Sequence, residues 1–150
     1  MNDALSSEID RHLNKTEDRT LLILTAHLLV EERLRNILAQ VAREPDELRA
    51  ARLSFNQVLM LCRAVLGRGD EPPWGFMARL NEARNRIVHR LDPGSLDDLL
   101  VSVVEKLRHD YAGHLETPIT RFTVAIHYAC GYLDAIGGSV RLGHAYADAS

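Results

Sequence analysis

Residues 72–94 read PPWGFMARLNEARNRIVHRLDPG, and the fold class turns on them. Two prolines suit a helix start, where the missing N–H would have no partner anyway. Asp92, Pro93 and Gly94 form a stop signal. Between these marks the spacing predicts a helix over residues 73–91. Successive residues advance by about 100° around a helix axis. With Leu80 at zero, Phe76, Met77, Ala83, Ile87, Val88 and Leu91 fall within about 80° of it. That arc is an apolar stripe turned toward a core.

The same period continues outward in both directions. Leu5, Ile9 and Leu13 predict a short amphipathic helix over residues 3–14. Thr16 reads as an N-cap, with Glu17 and Asp18 in the first turn of a long helix to about residue 43. Its apolar set is Leu21, Leu24, Leu28, Val30, Leu34, Ile37, Leu38 and Val41, and Glu31, Glu32 and Arg35 mark an exposed face. Pro45 opens a short helix through Arg49. Ser54 with Gln57 has the capping-box spacing and starts a helix to Leu66, which Gly67 ends. Ser95 with Asp98 starts another, to about residue 114. Thr117-Pro118 caps a last helix to about Ile136, where Gly137-Gly138 stops it. Residues 137–150 then read as a flexible tail.

No strand-like alternation persists. The expected fold is therefore all-α, an antiparallel bundle of about five main helices, in a single domain over residues 1–136. A chain of 150 residues can bury a core without staples. Apolar residues make up 46% and charged residues 26%, which excludes a largely disordered chain. The net charge of -3 argues against whole-surface attraction to nucleic acid and leaves room for a local basic patch. The apolar run from Leu21 to Val30 is half the length of about 20 residues that a membrane span needs. No signal-peptide pattern follows Met1. The expectation is a cytoplasmic protein with no membrane association. Cys62 and Cys130 each lie in apolar surroundings and read as buried free thiols, with no Cys/His spacing for zinc. No phosphate loop of the Walker or dinucleotide kind is present.

Three residues of the 73–91 helix carry candidate chemistry. Arg84 falls at about +40°, inside the apolar arc. A guanidinium there faces a partner acid, a cleft or a subunit interface, or it snorkels past the stripe to water. Glu31 or Glu32 of the long helix would be the partner acid, and that pairing would make Arg84 structural. His89 falls at about 180°, with Asn85 one turn before it and able to hold the imidazole by a hydrogen bond. Arg84 and His89 stand about 140° apart, so one straight helix cannot aim both at one atom. A distorted helix end or two copies meeting across a dimer axis would bring them together. Arg79, Arg86 and Arg90 surround them, with Glu82 expected to pair with Arg86. The cluster is either an ordinary solvated face or a phosphate-binding patch, since the guanidinium fork bonds two phosphate oxygens at once.

The words Arg84-Asn85-Arg86-Ile87-Val88-His89 resemble the signature of the HEPN superfamily: an arginine, a polar residue and a histidine four to six positions later. The layout of residues 16–100 is similar to the mannitol operon repressor-like branch, through TEDRTLLILTAHLLVEERLRNIL, LSFNQVLMLCRAVLG and LNEARNRIVH. The chain departs from that branch after Glu105.

The resemblance implies one of two functions. The first is a metal-independent endoribonuclease of toxin, phage-defence or RNA-processing type, working as a homodimer with the motif helices in one cleft. The second is a non-catalytic regulatory or scaffolding protein that binds a protein or a nucleotide. For the nuclease, the RNA 2′-OH attacks the adjacent phosphorus. His89 would act as general base or acid, Arg84 would stabilise charge in the transition state, and Asn85 would orient His89 or bond a phosphate oxygen. Arg79, Arg86 and Arg90 would bind flanking RNA phosphates. No cofactor and no metal enter this scheme. The implied partners are a second copy, RNA, and a cognate antitoxin or regulatory protein.

Other residues read more plainly. His109, His114 and His127 lack metal-ligand spacing. Asp97 and Asp98 read as partners of a helix dipole. Trp74 is either a packing anchor or a base-stacking platform. Tyr128 and Tyr132 read as core or dimer contacts.

Overall fold

A computed structural model describes residue 7 and residues 18–67, 69–89, 94–105, 107 and 117–148. Among these the secondary structure is helical, with no strand. The helices are α1 (Arg19–Val41), α2 (Pro45–Ala50), α3 (Phe55–Leu66), α4 (Pro72–His89), α5 (Leu96–Val104) and α6 (Pro118–Asp148). The expected helix over residues 3–14 lies outside the described residues, as do Thr16, Leu91, His109 and His114.

Local sequence sets most helix ends. The N-cap of α1 is Asp18 in place of Thr16; its carboxylate accepts from the backbone N–H of Thr20 and Leu21. A carboxylate at this position suits the positive helix end. The α3 capping box forms as read, with Gln57 N–H donating to Ser54 Oγ and Ser54 N–H donating to Gln57 Oε1. Gly67 ends α3 at φ 67°, in the left-handed region that glycine enters without a Cβ clash. Ser95 caps α5 by accepting from Asp98 N–H, and Thr117 caps α6 by accepting from Thr120 N–H.

The long α1 packs against every other described helix, and α6 packs along α1, α4 and α5. Along α1, Val30, Leu34, Ile37 and Leu38 are buried as expected, while in the first turns the wide burial moves the core face. Leu22, Ile23, Ala26, Leu29 and Val30 are buried, while Leu21 and Leu28 are 49% and 65% exposed. On α4, Phe76, Met77, Leu80 and Ala83 are buried as read, Ile87 is half-buried and Val88 is 50% exposed.

The last helix corrects the expected stop at Ile136. It passes through Gly137-Gly138 and ends at Asp148. Two glycines cost about 1 kcal/mol each relative to alanine within a helix. The apolar spacing nevertheless continues through Leu133, Ile136 and Val140 onto the core. A Cβ at Gly137 would lie 3.7 Å from Ile37 Cγ1, an ordinary van der Waals distance, so burial of this face carries the helix past the two glycines.

Both cysteines are buried, and neither is in a disulfide. Cys62 Sγ donates to the carbonyl of Leu34 at 3.4 Å, and burial pushes its pKa up to about 12. The thiolate is the reactive form. Cys62 is therefore expected to resist alkylation at pH 7.5 in the native protein and to react fully in denaturant. Native labelling at the rate of a free thiol would contradict this placement.

Candidate functional site

A cleft of about 370 Å³ lies between α1, α3 and α4. Its lining is His27, Glu31 and Arg35 from α1, Ser54, Phe55 and Asn56 at the start of α3, and Asn81, Arg84 and Asn85 from α4. The last three stand at about 100°, 40° and 140° on the α4 wheel, so the cleft runs along one flank of the apolar stripe. Arg84 is half-buried there.

Arg84 does not pair with an acid of α1. Arg35 takes the Glu31 carboxylate instead, with Nε and Nη2 donating to Oε1 at 3.0 and 2.6 Å. Arg35 Nη2 also donates to the carbonyl of Leu53 at 2.7 Å. Arg84 Nη1 donates to Asn85 Oδ1 at 3.2 Å, and no carboxylate among the described residues pairs with it. The expected Asn85–His89 hydrogen bond is absent, because the Asn85 carboxamide oxygen serves the charged neighbour in its place. Charge-assisted donors make the stronger bonds.

The structure brings together Arg84 and Asn85, with Glu31 and Arg35, and separates them from His89, Arg79 and Arg86. His89 is exposed and does not line the cleft. Arg79 and Arg86 are also exposed, at about -100° and -120° on the α4 wheel, on the flank away from the cleft. Glu82 pairs with Arg79 at 2.7 Å in place of Arg86. The expected four-arginine patch is thus not one surface, and Arg90 lies outside the described residues.

Sequence reading missed His27 and Asn81. His27 is 4% exposed, beneath the cleft. Its Nε2–H donates to Asn81 Oδ1 at 3.0 Å, Glu31 Oε2 lies 3.6 Å from its Nδ1, and its ring lies 4.3 Å from that of Phe55. Burial pushes the His27 pKa below its ordinary 6.5. The Asn81 hydrogen bond and Glu31 act upward, and the Arg84 charge acts downward. The available signal was a lone histidine within the apolar run Leu21 to Val30, one turn before Glu31.

The electrostatics favour an anion. Arg35 and Arg84 bring two guanidiniums against one carboxylate. The first turn of α3 borders the same space and adds the positive end of its helix dipole. Among the described residues no group of three or more His, Cys, Asp or Glu side chains is placed to hold a metal ion.

The remaining candidates have structural surroundings. Trp74 is fully buried, so it presents no stacking face to a base; its Nε1–H donates to Tyr132 Oη at 3.1 Å. Tyr132 Oη in turn donates to Glu71. Tyr128 packs against the core. Asp97 pairs with Arg19, beyond its expected place in the first turn of α5.

These features define an all-helical protein with an anion-favouring cleft on the flank of α4. No protein-family model, curated protein or solved structure matches the chain. No described helix is long and apolar enough to cross a membrane.

Proposed function

We propose that this protein is a metal-independent endoribonuclease of HEPN type that acts as a homodimer. The observation that carries the reading is Arg84: a half-buried guanidinium without a carboxylate partner among the described residues, in a polar cleft, five positions before His89 on one helix. An unpaired cation held at the edge of a core is costly as a purely structural element. A phosphate oxygen supplies the missing partner.

In this reading the RNA 2′-oxygen attacks the adjacent phosphorus as His89 takes the 2′ proton. The P–O5′ bond breaks, and a second imidazole returns a proton to the leaving O5′. The products are a 2′,3′-cyclic phosphate and a 5′-hydroxyl. Arg84 balances charge on the equatorial oxygens, and Asn85 holds Arg84 or a phosphate oxygen. His89 stands outside the cleft of its own chain, so a second copy brings its His89 across. Exposed Leu21 and Leu28 on α1 and Val88 on α4 give two of the three helices that form the cleft apolar surface for that copy. The antiparallel bundle of the HEPN type belongs to the same proposal, as do Arg79, Arg86 and Arg90 as contacts to flanking phosphates. A toxin or phage-defence setting, with a cognate antitoxin as partner, is the biological form of this reading.

The test is incubation of purified protein with mixed single-stranded RNAs in EDTA. Cleavage is expected, with 2′,3′-cyclic ends. His89→Ala is expected to lose about 10² to 10⁴-fold in rate. No cleavage by the wild-type protein, or full activity in His89→Ala, would overturn the proposal.

One observation favours a second reading, a non-catalytic regulatory or scaffolding protein that uses the cleft to bind a protein or nucleotide. His89 and the cleft are separate within one chain. That reading expects no growth arrest on expression, and arrest that depends on both Arg84 and His89 counts against it.

A further inference from the structure

His27 is a buried titratable group that the proposed reaction does not use. A carboxamide oxygen only accepts, so the His27 nitrogen facing Asn81 Oδ1 at 3.0 Å carries a proton. In the neutral ring the other nitrogen, Nδ1, is then bare. It faces Glu31 Oε2 at 3.6 Å, one acceptor against another. A proton at Nδ1 would turn this opposition into an ion pair. The same carboxylate holds Arg35 through its other oxygen. Both ring nitrogens of His27 are thus occupied by protein groups, and neither is free to touch a substrate.

We propose that His27 is a proton-linked positioning residue of the cleft, whose protonation draws Glu31 away from Arg35 and strengthens the hold of the cleft on an RNA phosphate. The inference rests on the reading of the cleft as an RNA-phosphate site. The groups facing His27 are Glu31 on its own helix, Phe55 on α3, and Asn81 with Arg84 on α4. Of these, Glu31 and Arg84 are charged. With the ring neutral, the lining carries Arg35 and Arg84 against Glu31; with the ring charged, it gains another cation.

The direction follows from the balance of charges. Burial and Arg84 favour the neutral ring in the empty cleft. A bound phosphate offsets the Arg84 charge and favours proton uptake. Proton and phosphate therefore assist each other, each by the same factor. Binding strengthens as the pH falls and the ring gains its proton, and weakens as the pH rises and the ring loses it. The arrangement also frees Arg35, which bonds Glu31 and the Leu53 carbonyl, to turn toward the ligand.

The test uses the intact protein and a 2′-O-methyl RNA, which binds but lacks the attacking hydroxyl. Inorganic phosphate is the second probe. Affinity is measured by anisotropy for the RNA and by calorimetry for phosphate, at pH 5.5 and 7.5. Wild type is expected to bind the RNA about fivefold or more tightly at the lower pH. His27→Gln and Glu31→Gln are expected to lose most of that gain. The ring signal of His27, followed by NMR in the wild-type protein, is expected to titrate at higher pH when the probe is bound. Saturation by phosphate at lower concentration than RNA would identify the free anion as the source; the opposite order would identify the polymer.

An equal pH gain in folded His27→Gln overturns the inference. So does a His27 titration unmoved by either probe, or the absence of binding by both; the NMR measurement decides the matter if the variants fail to fold. None of these readouts needs cleavage. An inactive protein that shows the linkage refutes only the nuclease, and an active one without it refutes only the role of His27.

Discussion

Replacing Arg84 by glutamine is expected to lower RNA cleavage by about 10² to 10³-fold, or about 2.7–4 kcal/mol of transition-state stabilisation. The loss should fall mainly on kcat, because charge on the phosphoryl oxygens is greatest in the transition state. Stability should change little. Arg84 bonds Asn85 Oδ1 and leaves no carboxylate orphaned when it is removed. Glu31 keeps Arg35, which holds it by two donors. An arginine bound to Glu31 would behave in the opposite way. Its removal would strand a partly buried charge and cost about 3–5 kcal/mol of stability. Measuring kcat and melting temperature on the same variant separates the two roles. Retained activity with a large drop in melting temperature would make Arg84 a structural residue. The same substitution at Arg86 is expected to weaken RNA binding in a salt-dependent way, since that side chain is exposed and outside the cleft.

Replacing Trp74 by alanine is expected to cost about 3–5 kcal/mol of folding stability. Trp74 is fully buried at the start of α4, and its ring meets that of Tyr132 edge-on at 6.0 Å. Its removal opens a cavity between α4 and α6 and deletes the donor to Tyr132 Oη. Against a typical total of about 5–15 kcal/mol this is a large fraction. The melting temperature should fall by about 6–20 °C for a domain of this size. Trp74→Phe keeps most of the apolar area and loses the N–H, so it should cost less. Thermal melts of both variants check the order. A melting temperature unchanged in Trp74→Ala would contradict the packing described for this helix.

Most helix starts were legible because they rest on local chemistry, whereas the helix begun at Ser95, expected to reach about residue 114, ends at Val104. Ser54 with Gln57, Ser95, Pro45 and Gly67 act within about one turn, and a short stretch of sequence contains every atom involved. The end of α6 was not legible. Gly137-Gly138 reads as a stop, and the helix continues because Ile136 and Val140, on either side of it, pack onto the core. The core face of the first turns of α1 was misplaced for a related reason, with Leu22 and Leu29 buried where Leu21 and Leu28 were expected. A helix with partners on several sides buries a wide arc, and no single stripe in its sequence marks the centre.

The candidate site divides in the same way. Arg84 and Asn85 were visible as a cation on an apolar arc with a polar neighbour, and both line the cleft. His27, Glu31 and Arg35 come from a helix some fifty residues away in the chain, and Asn81 reads as an ordinary polar position until His27 bonds it.

The sequence by itself determined the all-helical class, most helix starts, and the placing of Arg84 at the edge of an apolar stripe. Period and capping are properties of neighbouring residues, and they hold before any helix finds a partner. Only the tertiary structure decided whether Arg84 meets an acid among the described residues. Glu31 and Glu32 were both candidates by composition, and packing gave Glu31 to Arg35 and His27. That choice left a guanidinium without a counter-charge in a cleft. It depends on the relative rotation of α1, α3 and α4, which the buried core sets and no local motif encodes.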